Sequence, residues 1–336
     1  MARVPFVCPA TGQPLRATAQ GLLRADGAHY PYLPAAGHAE AGVPNFLDLA
    51  FPGAGQTTSL EMYNTEAACS IYRNFLDWLF ATFAADEAAF RQAMAARLRL
   101  RPGATVLVTG CGLGDDIPAV LDLVGPEGEV HAQDLSPAMV QEASMRWQRD
   151  RPDQARQVHF SAGNALQLPY AENSFDAALH FGGINLFDDI GKGIAEMNRV
   201  VRPGGRVVVS DEGIGPWLRA TEYGRMVVTN NRLWGLEAPL ASLPPEAAEV
   251  AVTWLLGNCF WLVDFTVGEA LPFINPHVPH KGTRGGSMWT RFHGQLEGVA
   301  PETQAQVRQA AGKAGLSVHD WLERSIAAQL RAEAKD

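Results

Sequence analysis

Cysteine is scarce in this chain of 336 residues: there are four, Cys8, Cys69, Cys111 and Cys259, far apart and without a C-x-x-C pair. That spacing excludes a disulfide framework. It suits reducing cytoplasm, where buried thiols act as small apolar groups. Long apolar runs are missing too, so no membrane span is expected. The opening "MARVPFVCPATG" has one Arg and no apolar h-region, which argues against a secretory signal and for a cytoplasmic protein. Positive charge is the minority sign, with 27 Lys and Arg against 36 Asp and Glu and a net charge of −9. An acidic balance disfavours a broad nucleic-acid footprint, although a local basic groove stays open. Whether the chain forms a homo-oligomer stays open.

What the chain has is alternation. Residues 1–50 are rich in Pro, Gly and Ala, with short candidate strands such as "AHYPYLP", and read as a small β-rich module. Residues 51–100 read as a helical cap, with Tyr63, Ala67, Ile71, Phe75, Trp78 and Leu79 at helical spacing. The core, 101–300, alternates strands at 105–110, 129–133, 157–161, 175–181 and 206–211 with helices near 115–123, 137–148 and 190–201. Short apolar strands separated by helices predict a doubly wound α/β sheet, parallel and covered on both faces. Residues 213–257 are read as a mostly helical insertion. "CFWLVDFTV" and "SMWTRFHGQLEGV" are read as two closing strands joined by the loop 268–286, and 301–336 as a helical tail.

The stretch "TVLVTGCGLGDD" bears on chemistry. In a doubly wound sheet the turn after the first core strand needs glycine so that the backbone can approach a ligand, and Gly110, Gly112 and Gly114, after Thr109, meet that need. The dinucleotide fingerprint would place its third glycine at Asp115, and no G-K-[ST] follows. Asp115 and Asp116 would compete with a pyrophosphate for backbone donors. An adenosyl cofactor without phosphate fits better, and S-adenosylmethionine (SAM) is the candidate. Asp134, with Leu135 beside it, stands where a carboxylate accepts from ribose hydroxyls. Met139 is placed to pack on adenine, and Asn164 with the N–H of Ala165 to read its edge.

Four pieces in order, "VLVTGCGLGDD", "QDLSPAM", "GNALQLPYAENSFDAAL" and "EMNRVVRPGGRVVVSDE", make the span 101–212 resemble the class I SAM-dependent methyltransferases, most of all the branch with the quinone C-methyltransferases. The resemblance implies a Rossmann-like seven-stranded sheet, SAM as cofactor, and methyl transfer to O, C or N of a small aromatic or apolar molecule. Two positions depart from the family: Val108, where Asp or Glu is usual, and Asn164, where Asp is usual. Val108 keeps open SAM chemistry other than methyl transfer and a non-catalytic SAM-binding scaffold. The N-terminal module resembles zinc-ribbon-like modules, including those of ribosomal RNA methyltransferases, which keeps an RNA substrate open. With Cys8 alone in place of paired cysteines, no zinc is expected.

His180, at the end of the fourth core strand, is a candidate cofactor contact and general base, or a residue shaping the pocket. Asp211 and Glu212 close the fifth strand and read as capping or paired groups. A hairpin between the two closing strands would bring His277, His280, Lys281 and Arg284 to the cofactor edge, the histidines as catalytic candidates and the cations to hold an acceptor anion. The H-x-x-H spacing lacks a third ligand, so no metal is expected. Tyr63, Tyr72, Asn185, Tyr223 and Trp234 are candidates to line an acceptor pocket. The tail is reminiscent of the helices of ribbon-helix-helix proteins, with Leu316, Trp321, Leu322 and Ile326 as an apolar face.

Overall fold

The computed structural model describes residues 4–33, 42–47, 60–65, 67–293 and 300–334. The chain divides into two units, Met1–Leu271 and Pro272–Asp336, so the break falls ahead of the boundary at 300 expected from the sequence.

The first unit begins with a three-stranded antiparallel sheet, β1 (Arg16–Ala17), β2 (Gly21–Leu23) and β3 (His29–Pro31). Cys8 is buried here; its Sγ lies 3.1 Å from the Tyr30 hydroxyl and accepts from the Arg24 guanidinium. Two helices follow, α1 (Ala68–Thr82) and α2 (Glu87–Ala96). Asp86 caps α2 by accepting from the Ala89 N–H. Part of the expected cap, residues 51–59, lies outside the described residues.

The core is a seven-stranded sheet. Its first strands are β4 (Thr105–Thr109), β5 (Glu129–Asp134), β6 (Val158–Ala162), β7 (Phe175–Phe181) and β8 (Val201–Glu212), followed by β9 (Ala248–Leu255) and β10 (Phe260–Thr266). The order is β6-β5-β4-β7-β8-β10-β9, parallel except for β10, which runs antiparallel between β8 and β9. β4 explains why both faces are covered. Val106 and Val108 enter one apolar cluster and Leu107 the other, and all three are buried. The helices α3 (Ile117–Val124), α4 (Pro137–Asp150) and α5 (Ile190–Val200) lie between the strands in sequence and bury apolar residues of their own.

The outer edge of β6 would be an open row of donors and acceptors. The N-terminal segment covers part of it: Ala162 donates to the Pro44 carbonyl and Phe46 donates to the Ala162 carbonyl. The module therefore extends the main sheet.

Two expectations need correction. Residues 213–257 contain one α-helix, α6 (Glu222–Asn230), three short 3-10 turns, and β9, the far edge of the sheet. "AEVAVTWL" is rich in β-branched and apolar residues, which favour a strand, and it pairs with β10. The second closing strand, expected at 287–299, is instead helical at α7 (Met288–His293), and residues 294–299 lie outside the described residues. With α8 (Pro301–Lys313) and α9 (Val318–Glu333), α7 makes up the helices of the second unit. Among the described residues no helix is long and apolar enough to cross a membrane.

Candidate active site

Strand order reverses between β4 and β7, and in open α/β sheets ligands sit beyond the carboxyl ends of the strands at that switch point. A cavity of roughly 360 Å³ opens there, its wall drawn from the first unit alone. Gly110 and Gly112 form part of it. Gly110 has φ +60°, and a Cβ there would stand 2.8 Å from His180 Cε1. A side chain is therefore barred by backbone conformation and by space alike. Gly112, at φ +51°, lies under the Tyr72 ring, which α1 lowers onto the turn. Gly114 and Thr109 stand behind the wall. Thr109 Oγ1 is 2.9 Å from His180 Nδ1 and orients that ring.

Asp134, at the end of β5, lines the cavity. Its Oδ2 accepts from the Gly112 N–H and its Oδ1 from the Ser136 N–H, both at 2.8 Å. One side chain thus ties the glycine turn to the start of α4 and keeps acceptor capacity on each oxygen. Burial pushes its pKa up, against those two donors. Ser136 caps α4 and also donates to the Tyr63 carbonyl, tying the segment ahead of α1 to the start of α4. Leu135, Met139, Asn164 and Ala165 line the same side. Asn164 Oδ1 accepts from the Leu166 N–H, which turns the chain there.

The opposite side is apolar. α1 contributes Tyr72, Phe75, Leu76 and Leu79, with Tyr63 ahead of it, and β7 contributes Phe181. His180 also lines the cavity and is fully buried, which pushes its pKa down to about 4 and leaves the ring neutral. Its Nε2 has no hydrogen-bond partner among the described residues.

The two aspartates of the glycine turn do something the sequence did not disclose. Asp116 pairs with Arg91 of α2 at 2.5 Å, and Asp115 lies within 4.0 Å of Arg73, Arg91 and Arg146. Burial works against the Arg91 charge, yet Asp116 and Asp115 hold its pKa above the usual range. Paired with arginines, these carboxylates do not repel phosphate as free acids would. They clamp the helical cap onto the turn.

Several expected acceptor residues do not reach the cavity. Trp234 is a core residue, stacked on Trp78 and packed near Phe83 and Phe260. Tyr223 donates to the Gly257 carbonyl outside the wall. Asn185 braces β8: its N–H donates to Asp211 Oδ2 at 2.7 Å and its amide to the Glu212 carbonyl at 2.8 Å. His277, His280 and Lys281 line a second hollow inside the second unit, with Arg284 on the same loop. The hairpin that placed these four beside the cofactor is absent from the described residues. Val108 is buried in the core cluster rather than in the wall. Glu129, His131 and His159 bring ligand atoms within 4.8 Å of one another, the two histidines being paired across β5 and β6, one donor short of a tetrahedral zinc set and outside the cavity wall.

The residues that sequence reasoning undervalued are Asp211 and Glu212, both of which line the cavity. Burial raises both pKa values well above the carboxylate range, and for Glu212 the neighbouring Asp211 adds to it. Each binds its proton more tightly in the folded than in the unfolded chain. Wild-type stability should therefore fall as pH climbs from the unfolded carboxylate range, about 4, until Glu212 ionises in the folded protein. Glu212→Gln removes much of that slope. The expected result is a melting temperature that gains on wild type as pH rises between about 5 and 9, followed by thermal melts. A gap independent of pH would show that Glu212 titrates normally.

Residues 106–205 match the methyltransferase domain family. The demethylmenaquinone methyltransferase of Oceanobacillus iheyensis is 38% identical over 112 residues, covering 33% of this chain and 46% of that protein. That of Beutenbergia cavernae is 38% identical over 128 residues, covering 38% and 49%. The chain thus spans about half the length of these curated relatives. The phosphoethanolamine N-methyltransferase 2 of Haemonchus contortus, solved with S-adenosyl-L-methionine, superposes with a TM-score of 0.50 at 15% identity over 65% of this chain and 60% of that one, a likeness of fold.

Proposed function

We propose that this chain, whose residues 106–205 form a class I SAM-dependent methyltransferase domain, transfers the cofactor's methyl group to a small, flat, apolar acceptor. The observation that carries this reading is the two-sided cavity: a glycine turn and a carboxylate on one side, aromatic and aliphatic side chains on the other, and no Lys or Arg in the wall among the described residues. A phosphate backbone would find no cation there, which favours a small molecule over RNA.

The residues present fit the cofactor. Asp134 would accept from the ribose hydroxyls, Met139 would cover adenine, and Gly110 leaves space that any Cβ would fill. When bound, SAM supplies an electrophilic methyl on a sulfonium. The chain's own part is to hold the acceptor under α1, exclude water and aim the nucleophile, and positioning alone accounts for much of the rate in such reactions. The relatives named as demethylmenaquinone methyltransferases put a small molecule first among acceptors.

The test is incubation of the protein with methyl-labelled SAM and separate small-molecule and RNA fractions of a cell extract. Label is expected in the apolar small-molecule fraction. Label confined to RNA, or SAM consumed with no label transferred, would overturn the reading.

A further inference from the structure

We infer that Glu212 is the proton acceptor of this site, taking up the proton that the acceptor's nucleophilic atom gives up as it gains the methyl. The inference rests on the methyltransferase reading above.

Glu212 ends β8 and lines the same cavity as Gly110 and Asp134. Its backbone is held from two sides, since its carbonyl accepts from the Asn185 amide at 2.8 Å and from the Trp261 indole at 3.1 Å. Asp211, next to it, is occupied in fixing the loop after β7, accepting from the Asn185 and Glu212 N–H groups. The Glu212 side chain remains in the cavity wall with the Asn231 amide 3.5 Å from its Oε1.

Among the described residues, no Lys or Arg lines the cavity. Asp211 faces it from its own strand, Tyr63 from the cap segment, and the neutral Trp234 indole from the turn after α6. Asp134, Asp188 and the neutral His180 line the same cavity. A carboxylate buried among carboxylates is protonated until a positive ligand arrives, and the sulfonium is such a ligand.

The charges then balance through the reaction. Before it, a sulfonium faces a carboxylate. The acceptor's nucleophilic atom gains the methyl and loses its proton to Glu212, while the electron pair of the broken S–C bond stays on sulfur. A neutral thioether and a neutral carboxylic acid remain, so both charges vanish together in the cavity. His180, made a weak base by burial, is the poorer acceptor.

The experiment is calorimetry of SAM and of its demethylated product, S-adenosylhomocysteine, in buffers of different ionisation enthalpy at neutral pH. Wild type should release about one proton more with SAM than with the product, and Glu212→Gln should show no such difference while still binding both. Equal release with the two ligands in wild type overturns the inference without any variant. So does a SAM-specific release that persists in Glu212→Gln, since another carboxylate is then its source. Failure of wild type to bind either ligand is a different result and removes the cofactor assignment itself.

Discussion

Asp134→Ala is expected to lower SAM affinity by about 100-fold or more while leaving the fold intact. Hydrogen bonds to a charged group contribute about 1.5–3 kcal/mol each. Two ribose hydroxyls therefore amount to at least about 3 kcal/mol, or roughly two decades in Kd. The side chain also holds the Gly112 and Ser136 N–H groups, so its loss frees the turn and the start of α4 together. Asp134→Asn keeps the shape but loses the charge, and should fall between the two. Calorimetry reads both variants, with circular dichroism as the fold control. Affinity unchanged in Asp134→Ala would mean that the ribose lies elsewhere.

Arg91→Met is expected to destabilise the protein by about 3–5 kcal/mol, the usual cost of removing one partner from a buried ion pair. Arg91 and Asp116 are both buried, and Arg91 also bonds Glu87. Methionine fills the volume but leaves Asp116 without its partner. At roughly 2–4 °C per kcal/mol for a unit of this size, the melting temperature should drop by about 10 °C. Arg73→Met is the contrast. Arg73 is about a third exposed, and its pairs with Asp77 and Glu87 are expected to contribute about 1 kcal/mol or less. Equal drops in the two variants would show that burial does not set the cost. The Arg91 guanidinium also lies 5.5 Å from the centre of the Phe181 ring, which lines the cavity. Loosening the cap should therefore weaken cofactor binding in Arg91→Met, beyond any effect on stability.

The legible parts of the site were those whose chemistry is local. Gly110, Gly112 and Asp134 sit at strand ends in a fixed spacing, and the structure brings all three into one wall. Asn185, Tyr223 and Trp234 were misjudged because an amide in a loop or an aromatic in an insertion has the same local pattern whether it faces a cavity or the core. Glu212 was undervalued for a related reason. Nothing in "SDEG" distinguishes a capping carboxylate from one whose cation is missing, since the distinction depends on what other elements fail to bring near it.

The sequence by itself determined the parallel half of the sheet, the glycine turn and the acid at the end of the second core strand, because these follow from apolar strand runs, glycine spacing and one carboxylate at a strand end. Only the tertiary structure decided the far edge, where β9 is a strand because β10 pairs with it, and the fate of Asp115 and Asp116, whose partners lie on α1, α2 and α4. Charge and edge pairing are settled between segments distant in sequence, and no local pattern records them.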